Sequence, residues 1–244
     1  MKLLIDIGNT NIVYGLTDGE KIKKKWRTSY NFGFTEDEFG ISIVNYLNYF
    51  DEKIEAVIIS CVVPEILCAI KNGVKKYLNL EPKIVDCNVK SNLVWDIENP
   101  KELGADRIVN CIGAYEIYHS DLIVIDFGTA TTYDLVDSSG KFLTGITAPG
   151  IKISADALFN KTSLLNETDL VLPKNILVKN TINSLRAGII LSHIGATEYI
   201  IKKLLDVLPN AKVIATGGLC GLIETKLIDE KDFDLTLKGL MFLS

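Results

Sequence analysis

Short apolar runs broken by glycine, asparagine and aspartate open the chain: Met1 to Ile7, Asn11 to Leu16 and Lys21 to Thr28, separated by Gly-Asn-Thr and Thr-Asp-Gly-Glu. Runs of this length with turn residues between them predict an antiparallel meander. The pattern lengthens to a helical period from Thr35 to Tyr49, shortens to a buried strand at Ala56 to Ser60, and lengthens again after Pro64, where proline suits a helix start. A short strand at Pro82 to Val85, a loop from Ser91 to Leu103 and a helix from Ala105 to Tyr118 complete the first half. Ile108, Ile112 and Tyr115 share one face of that helix.

The cycle then restarts. A hairpin is predicted over Leu122 to Val136, followed by a turn at Asp137 to Gly140 and a strand from Lys141 to Thr147. Helices follow near Ile153 to Leu158 and Ser184 to Leu208, then a strand from Lys212 to Ala215 that runs into Thr216-Gly217-Gly218, and a short apolar tail from Leu235 to Phe242. No linker rich in proline, glycine or serine separates the halves. The order predicts an α/β protein of two similar lobes, 1–118 and 119–244, each a mixed sheet flanked by helices. A repeat of this length is domain-sized, unlike a solenoid unit.

The two halves share one phrase. LLIDIGNTNIVYGL (Leu3 to Leu16) and LIVIDFGTATTYDL (Leu122 to Leu135) place Asp6 on Asp126, Gly8 on Gly128 and Asn9 on Thr129. An aspartate that ends an apolar strand is costly unless it has a partner. Glycine two residues later lets the chain turn and lets a ligand approach the backbone closely. Asn9, Thr10, Thr129, Thr131 and Thr132 add short polar side chains, so each turn suits phosphate oxygens while its carboxylate faces a hydrated cation. Turn chemistry alone accounts for one such phrase; its recurrence favours a ligand, with the two turns expected to clamp a polyphosphate.

Composition narrows the classes. The 244 residues are 48% hydrophobic and 23% charged, which excludes global disorder, and the net charge of -5 removes the footprint of a nonspecific nucleic-acid binder. No apolar run reaches the roughly 18–20 residues of a membrane span, and Asp6 interrupts any leader-like core, so a cytoplasmic protein without membrane attachment is expected. The basic cluster Lys21, Lys23, Lys24, Lys25 and Arg27 alternates with Ile22 and Trp26 as a half-exposed strand does. Five cysteines without a C-x-x-C pair predict reduced, mostly buried thiols. His119 and His193 have no metal-ligand spacing, and no G-x-S-x-G is present for a serine hydrolase.

The duplicated hairpin resembles the phosphate motifs of the superfamily of sugar kinases, heat-shock chaperones and actin, whose lobes are ribonuclease H-like. Within it the chain resembles the type III pantothenate kinases nearly end to end. The matching phrases are DIGNTN (Asp6 to Asn11), ISCVVP (Ile59 to Pro64), ENPKELGADRIVN (Glu98 to Asn110), DFGTATT (Asp126 to Thr132), APG (Ala148 to Gly150), NT (Asn180, Thr181) and ATGGL (Ala215 to Leu219).

The resemblance implies ATP-dependent phosphorylation of the pantothenate hydroxyl, the first step towards coenzyme A. It also implies Mg2+, a monovalent cation (K+ or NH4+) and a homodimer. It places the ATP phosphates along Asp6, Ile7, Gly8, Asn9, Thr10, Asn11, Ile12 and Val13, with Asp6 toward Mg2+ directly or through water. Thr129 contacts the nucleotide, Gly217 and Gly218 lie against its adenosine, and Asp126 ligates the monovalent cation. Pantothenate is held by Gly104, Ala105, Asp106, Arg107 and Thr181. Asp106 accepts the proton of its hydroxyl. The position seven residues before Gly104, usually a substrate-contacting tyrosine in the family, is Ile97 here, and the usual glycine pair before APG is Thr144-Gly145.

Asp106 also reads as a first-turn carboxylate held by free helix amides, which are expected to keep its pKa low. A loose phosphoryl-transfer transition state needs positioning of the hydroxyl more than early deprotonation, so such a base suffices. Arg107 suits a carboxylate or phosphate partner, or a surface ion pair. Two other functions fit the same residues: a kinase of this fold for another small hydroxylated acceptor, and a noncatalytic nucleotide-binding regulator.

Overall fold

The computed structural model describes residues 1–30, 33–160 and 169–244, and they divide into two compact units, Met1–Tyr118 with Asp234–Ser244, and His119–Phe233. In the first unit the meander forms β1 (Lys2–Ile7), β2 (Asn11–Thr17) and β3 (Ile22–Ser29). Strands β4 (Ala56–Cys61) and β5 (Lys83–Ile84) extend the sheet in the order β3-β2-β1-β4-β5. β2 runs antiparallel to β1 and β3, while β4 is parallel to β1 and to β5.

Helix α1 (Glu36–Phe50) starts at a capping box in which Thr35 accepts from the Glu38 amide while Glu38 accepts from the Thr35 amide. With α2 (Pro64–Gly73), whose last turn widens into a π-helix at Val74–Leu78, it covers one sheet face. Leu3, Ile5 and Ile7 of β1, Val57 and Ile59 of β4, and Phe39, Ile43, Ile66 and Ile70 of the helices form that core. The segment expected as loop before α3 (Ala105–Tyr118) holds a two-residue strand β6 (Val94–Trp95) and a 3-10 turn at Pro100–Glu102.

The second unit repeats the plan. Strands β7 (Leu122–Phe127), β8 (Ala130–Val136), β9 (Lys141–Pro149), β10 (Lys212–Thr216) and β11 (Glu230–Lys231) lie in the order β11-β10-β7-β8-β9, so the two-residue β11 takes the place that β5 has in the first sheet. Helices α4 (Ile151–Asn160) and α5 (Thr181–Leu205) pack on it. Buried Tyr133 of β8 and Thr197 of α5 share a 2.9 Å hydrogen bond that ties the long helix to the sheet.

The last eleven residues depart from the division at 119–244. Their helix α6 (Leu235–Phe242) packs in the first unit, against α3 and β1. Its Leu235, Leu237, Leu240 and Met241 are buried, and Gly113 of α3 meets Gly239 of α6 so closely that a Cβ on Gly113 would stand 3.0 Å from the Gly239 nitrogen. Two glycines at one crossing bring the backbones together, and Thr236 then donates to the buried side chain of Asn110 at 2.8 Å.

The thiols are free, but only Cys111 and Cys220 are buried; Cys61 and Cys87 are half-buried and Cys68 is exposed. Cys68 falls on the solvent side of α2, whose buried residues are Ile66, Ile70 and Gly73. The basic cluster lies on β3, the sheet edge, with Lys23, Lys24, Lys25 and Arg27 exposed and Trp26 stacked on Tyr14 at 5.0 Å. Among the described residues no helix is long and apolar enough to cross a membrane.

Candidate active site

Each duplicated phrase folds as a hairpin whose aspartate stands one residue before the end of its first strand. Asp6 pairs in register with Val13 of β2 and Ser60 of β4; Asp126 pairs with Thr132 of β8 and Thr216 of β10. The turns differ in length. The first closes over Gly8 to Asn11, with the Gly8 amide donating to Asn11 O at 3.1 Å, and the second over Gly128 to Ala130, with the Gly128 amide donating to Ala130 O at 3.1 Å.

In the first turn Asn9 and Thr10 are exposed and Asn11 and Val13 half-buried, whereas Ile7 and Ile12 are fully buried in the core. Any part Ile7 and Ile12 play toward a ligand is therefore carried by their backbone. Tyr30, which sequence reasoning passed over, supports the turn by donating its hydroxyl to Gly8 O at 2.9 Å. No periodic signal marks a tyrosine just beyond a strand end.

In the second unit two glycines are explained by close approach. A Cβ on Gly150, the glycine of APG, would collide with Thr129 O, so α4 begins directly against the second turn. Gly217 has φ +95°, in the left-handed region, and a Cβ there would collide with Asp126 Oδ1 and the Phe127 backbone. Gly218 has open space beside it and lines a cleft of about 480 Å³ with Lys152, Asp169, Leu170, Leu219, Gly221 and Leu222. One glycine of the pair thus seats the aspartate and the other faces the cleft. Thr131 and Thr132 each bury a hydroxyl that has no hydrogen-bond partner among the described residues, and the Thr132 position lies directly beside Asp126. A carboxylate beside an unsatisfied hydroxyl is an oxygen set that fits a hard cation.

Asp106 is the second residue of α3, half-buried, and its Oδ1 accepts from the Arg107 amide at 2.8 Å. Gly104 stands at the entry to the helix, where Ile108 donates to its carbonyl at 3.1 Å. The expectation of a lowered Asp106 pKa is corrected here. Desolvation by burial pushes the carboxyl above its ordinary value and outweighs the Arg107 amide and the Arg107 charge. Ala105 is buried, Arg107 and Ile97 are half-buried, and Thr181 is exposed at the first position of α5, where Asn180 caps the helix by accepting from the Asn183 amide at 2.8 Å.

The first unit therefore holds Asp6, its turn and Gly104 to Arg107, and the second holds Asp126, Thr129, Gly217 and Gly218. Residues 2–203 match the family model described as type III pantothenate kinase. The chain belongs to the type III pantothenate kinase family. Two relatives carrying that name are similar over nearly full length. One, from Agathobacter rectalis, is 45% identical over 98% of this chain and 95% of its own; the other, from Syntrophobacter fumaroxidans, is 44% identical over 100% and 97%. The fold also matches that of a ROK family glucokinase from Streptomyces griseus, solved in complex with glucose and AMPPNP, with TM-score 0.54 and 12% identity over 100% of this chain and 98% of that one. The α/β fold of this family member is accordingly shared with that glucokinase.

Proposed function

We propose that this family member transfers the γ-phosphate of ATP to the hydroxyl of pantothenate, the entry step of coenzyme A synthesis. The observation that carries the reading is the Gly104–Asp106 arrangement. A carboxylate is fixed at the first turn of a helix, above its ordinary pKa, in the same compact unit as the Asp6 turn. The pantothenate hydroxyl attacks the γ-phosphorus, ADP leaves with the bond electrons, and the hydroxyl proton passes to the Asp106 carboxylate.

The phosphates are assigned to the amides and short side chains of the Asp6 to Val13 turn and to Thr129, and the adenosine to the cleft beside Gly218. Asp6 would hold Mg2+, and Asp126 with Thr132 a monovalent cation such as K+ or NH4+. A divalent ion bound there neutralises phosphate charge. Pantothenate is assigned to Gly104, Ala105, Asp106, Arg107 and Thr181, with Ile97 offering apolar surface where a tyrosine hydroxyl is usual. The reading includes a cytoplasmic homodimer that binds neither nucleic acid nor membrane.

A coupled assay of ADP release with pantothenate, run in K+ and then in Na+, tests it. Turnover with pantothenate that is faster in K+ is the expected result. Turnover only with another hydroxylated acceptor favours the same-fold kinase, and ATP binding without transfer to any acceptor favours the regulator.

A further inference from the structure

The ISCVVP segment, Ile59 to Pro64, carries no role so far, yet it joins the two catalytic features of the first unit. Val62 donates its amide to Ile7 O at 3.1 Å, directly before the first turn, and its Cγ1 lies 3.7 Å from where a Cβ on Gly104 would stand. Cys61 fixes the segment from inside, accepting the Val63 amide at 3.3 Å and donating its thiol to Val63 O at 3.2 Å.

Ser60 is the odd residue in this strand. It is 0% exposed, and its hydroxyl has no hydrogen-bond partner among the described residues. A buried hydroxyl left unmade is costly, and alanine would avoid the cost. Ser60 pairs in register with Asp6. Strand alternation puts both on the face away from the core shared with α1 and α2, together with Leu4, the face on which α3 and α6 pack. Leu237 of α6 marks that face: a Cβ on Gly15 would lie 3.3 Å from its methyls and 3.5 Å from the Leu4 Cδ1.

The duplication supplies an independent observation. In the second sheet the residue in register with Asp126 on the parallel strand is Thr216, also a buried hydroxyl side chain at the end of an apolar strand. Both units place a buried hydroxyl in register with the aspartate near the end of the first strand.

We propose that Ser60 is a positioning residue for phosphoryl transfer. Its hydroxyl donates into the polar shell of Asp6, to the carboxylate or to the water that the carboxylate holds, once Mg2+ and ATP are bound. This rests on the kinase reading above, and the experiment separates the two.

Wild type, Ser60→Ala and Ser60→Thr are compared for turnover with pantothenate, for binding of ATP at graded Mg2+ without acceptor, and for thermal unfolding. The expected result for Ser60→Ala is a kcat about tenfold lower, an unchanged KM for pantothenate, and a severalfold higher Mg2+ requirement for ATP binding. Its unfolding temperature should be equal or higher, and Ser60→Thr should recover most of the lost turnover, as the Thr216 position suggests. Wild-type kcat and Mg2+ requirement in Ser60→Ala would overturn the proposal, as would a loss of turnover that tracks a lowered unfolding temperature. Failure of wild type to phosphorylate pantothenate would overturn the kinase reading instead, while the Mg2+ and ATP binding comparison would still decide the role of Ser60.

Discussion

A methyl group on Gly104 would stand 2.6 Å from Asp106 Oδ1. The space that a side chain would take at the mouth of α3 is occupied by the carboxylate two residues later, so glycine at 104 and aspartate at 106 are one structural decision. Gly104→Ala should displace the carboxylate and lower kcat by about 10- to 100-fold, with unfolding little changed. Steady-state kinetics beside a thermal melt checks this; full activity would mean that the carboxylate position is not critical.

Asp106→Asn should abolish most turnover while leaving ATP binding intact. It should also not weaken the fold. Because burial raises the carboxyl pKa in the folded protein, the ionised form costs stability there, a cost absent below the unfolded pKa and complete above the folded one. The amide carries no such cost, so the variant should be as stable as wild type or more stable at neutral pH, and the gap should close as pH falls into the ordinary carboxylate range.

The same shift should set the acid limb of activity. As the proposed proton acceptor Asp106 would work when ionised, so turnover should fall as pH drops through a midpoint above that of an ordinary aspartate. Arg107 lowers that pKa through its charge, and Arg107→Gln should therefore move the limb to higher pH. A limb that stays in place would remove Asp106 as the titrating group.

Gly217→Ala places a methyl on a residue at φ +95° and against Asp126 Oδ1. Strain and overlap together should cost about 1–3 kcal/mol in denaturant unfolding and should reduce the dependence of turnover on K+. Gly218→Ala, with open space beside it, should leave stability unchanged, and any effect should appear in nucleotide affinity.

The Gly113 and Gly239 crossing is purely structural. Gly239→Ala sets a methyl into the Val109 carbonyl and should lower stability by about 2–4 kcal/mol. Residual activity measured well below the unfolding temperature should stay near wild type, which separates this site from Gly104 and Gly217.

Much of the fold was legible because local rules and tertiary packing agree. The start of α3 at Ala105, the helix expected from Thr35 and both hairpins follow from spacing and turn chemistry alone. The recurrence of Asp-x-Gly after an apolar strand pointed to Asp6 and Asp126, and each stands one residue before the end of a central strand. Ser60, Thr216 and Tyr30 were not legible as neighbours of these features. A single hydroxyl or tyrosine at a strand end carries no periodic signal, and only strand register shows that it lies beside a carboxylate or a turn.

The sequence by itself determined where strands and helices alternate and which carboxylates stand at strand and helix ends, because those depend on neighbours a few positions apart. Tertiary structure decided that α6 joins the first unit, through contacts between residues more than a hundred positions apart in the chain such as Asn110 and Thr236. It also decided the protonation behaviour of Asp106. The helix amides favour the charged form, as the sequence says, but the burial that outweighs them comes from the folded chain around it.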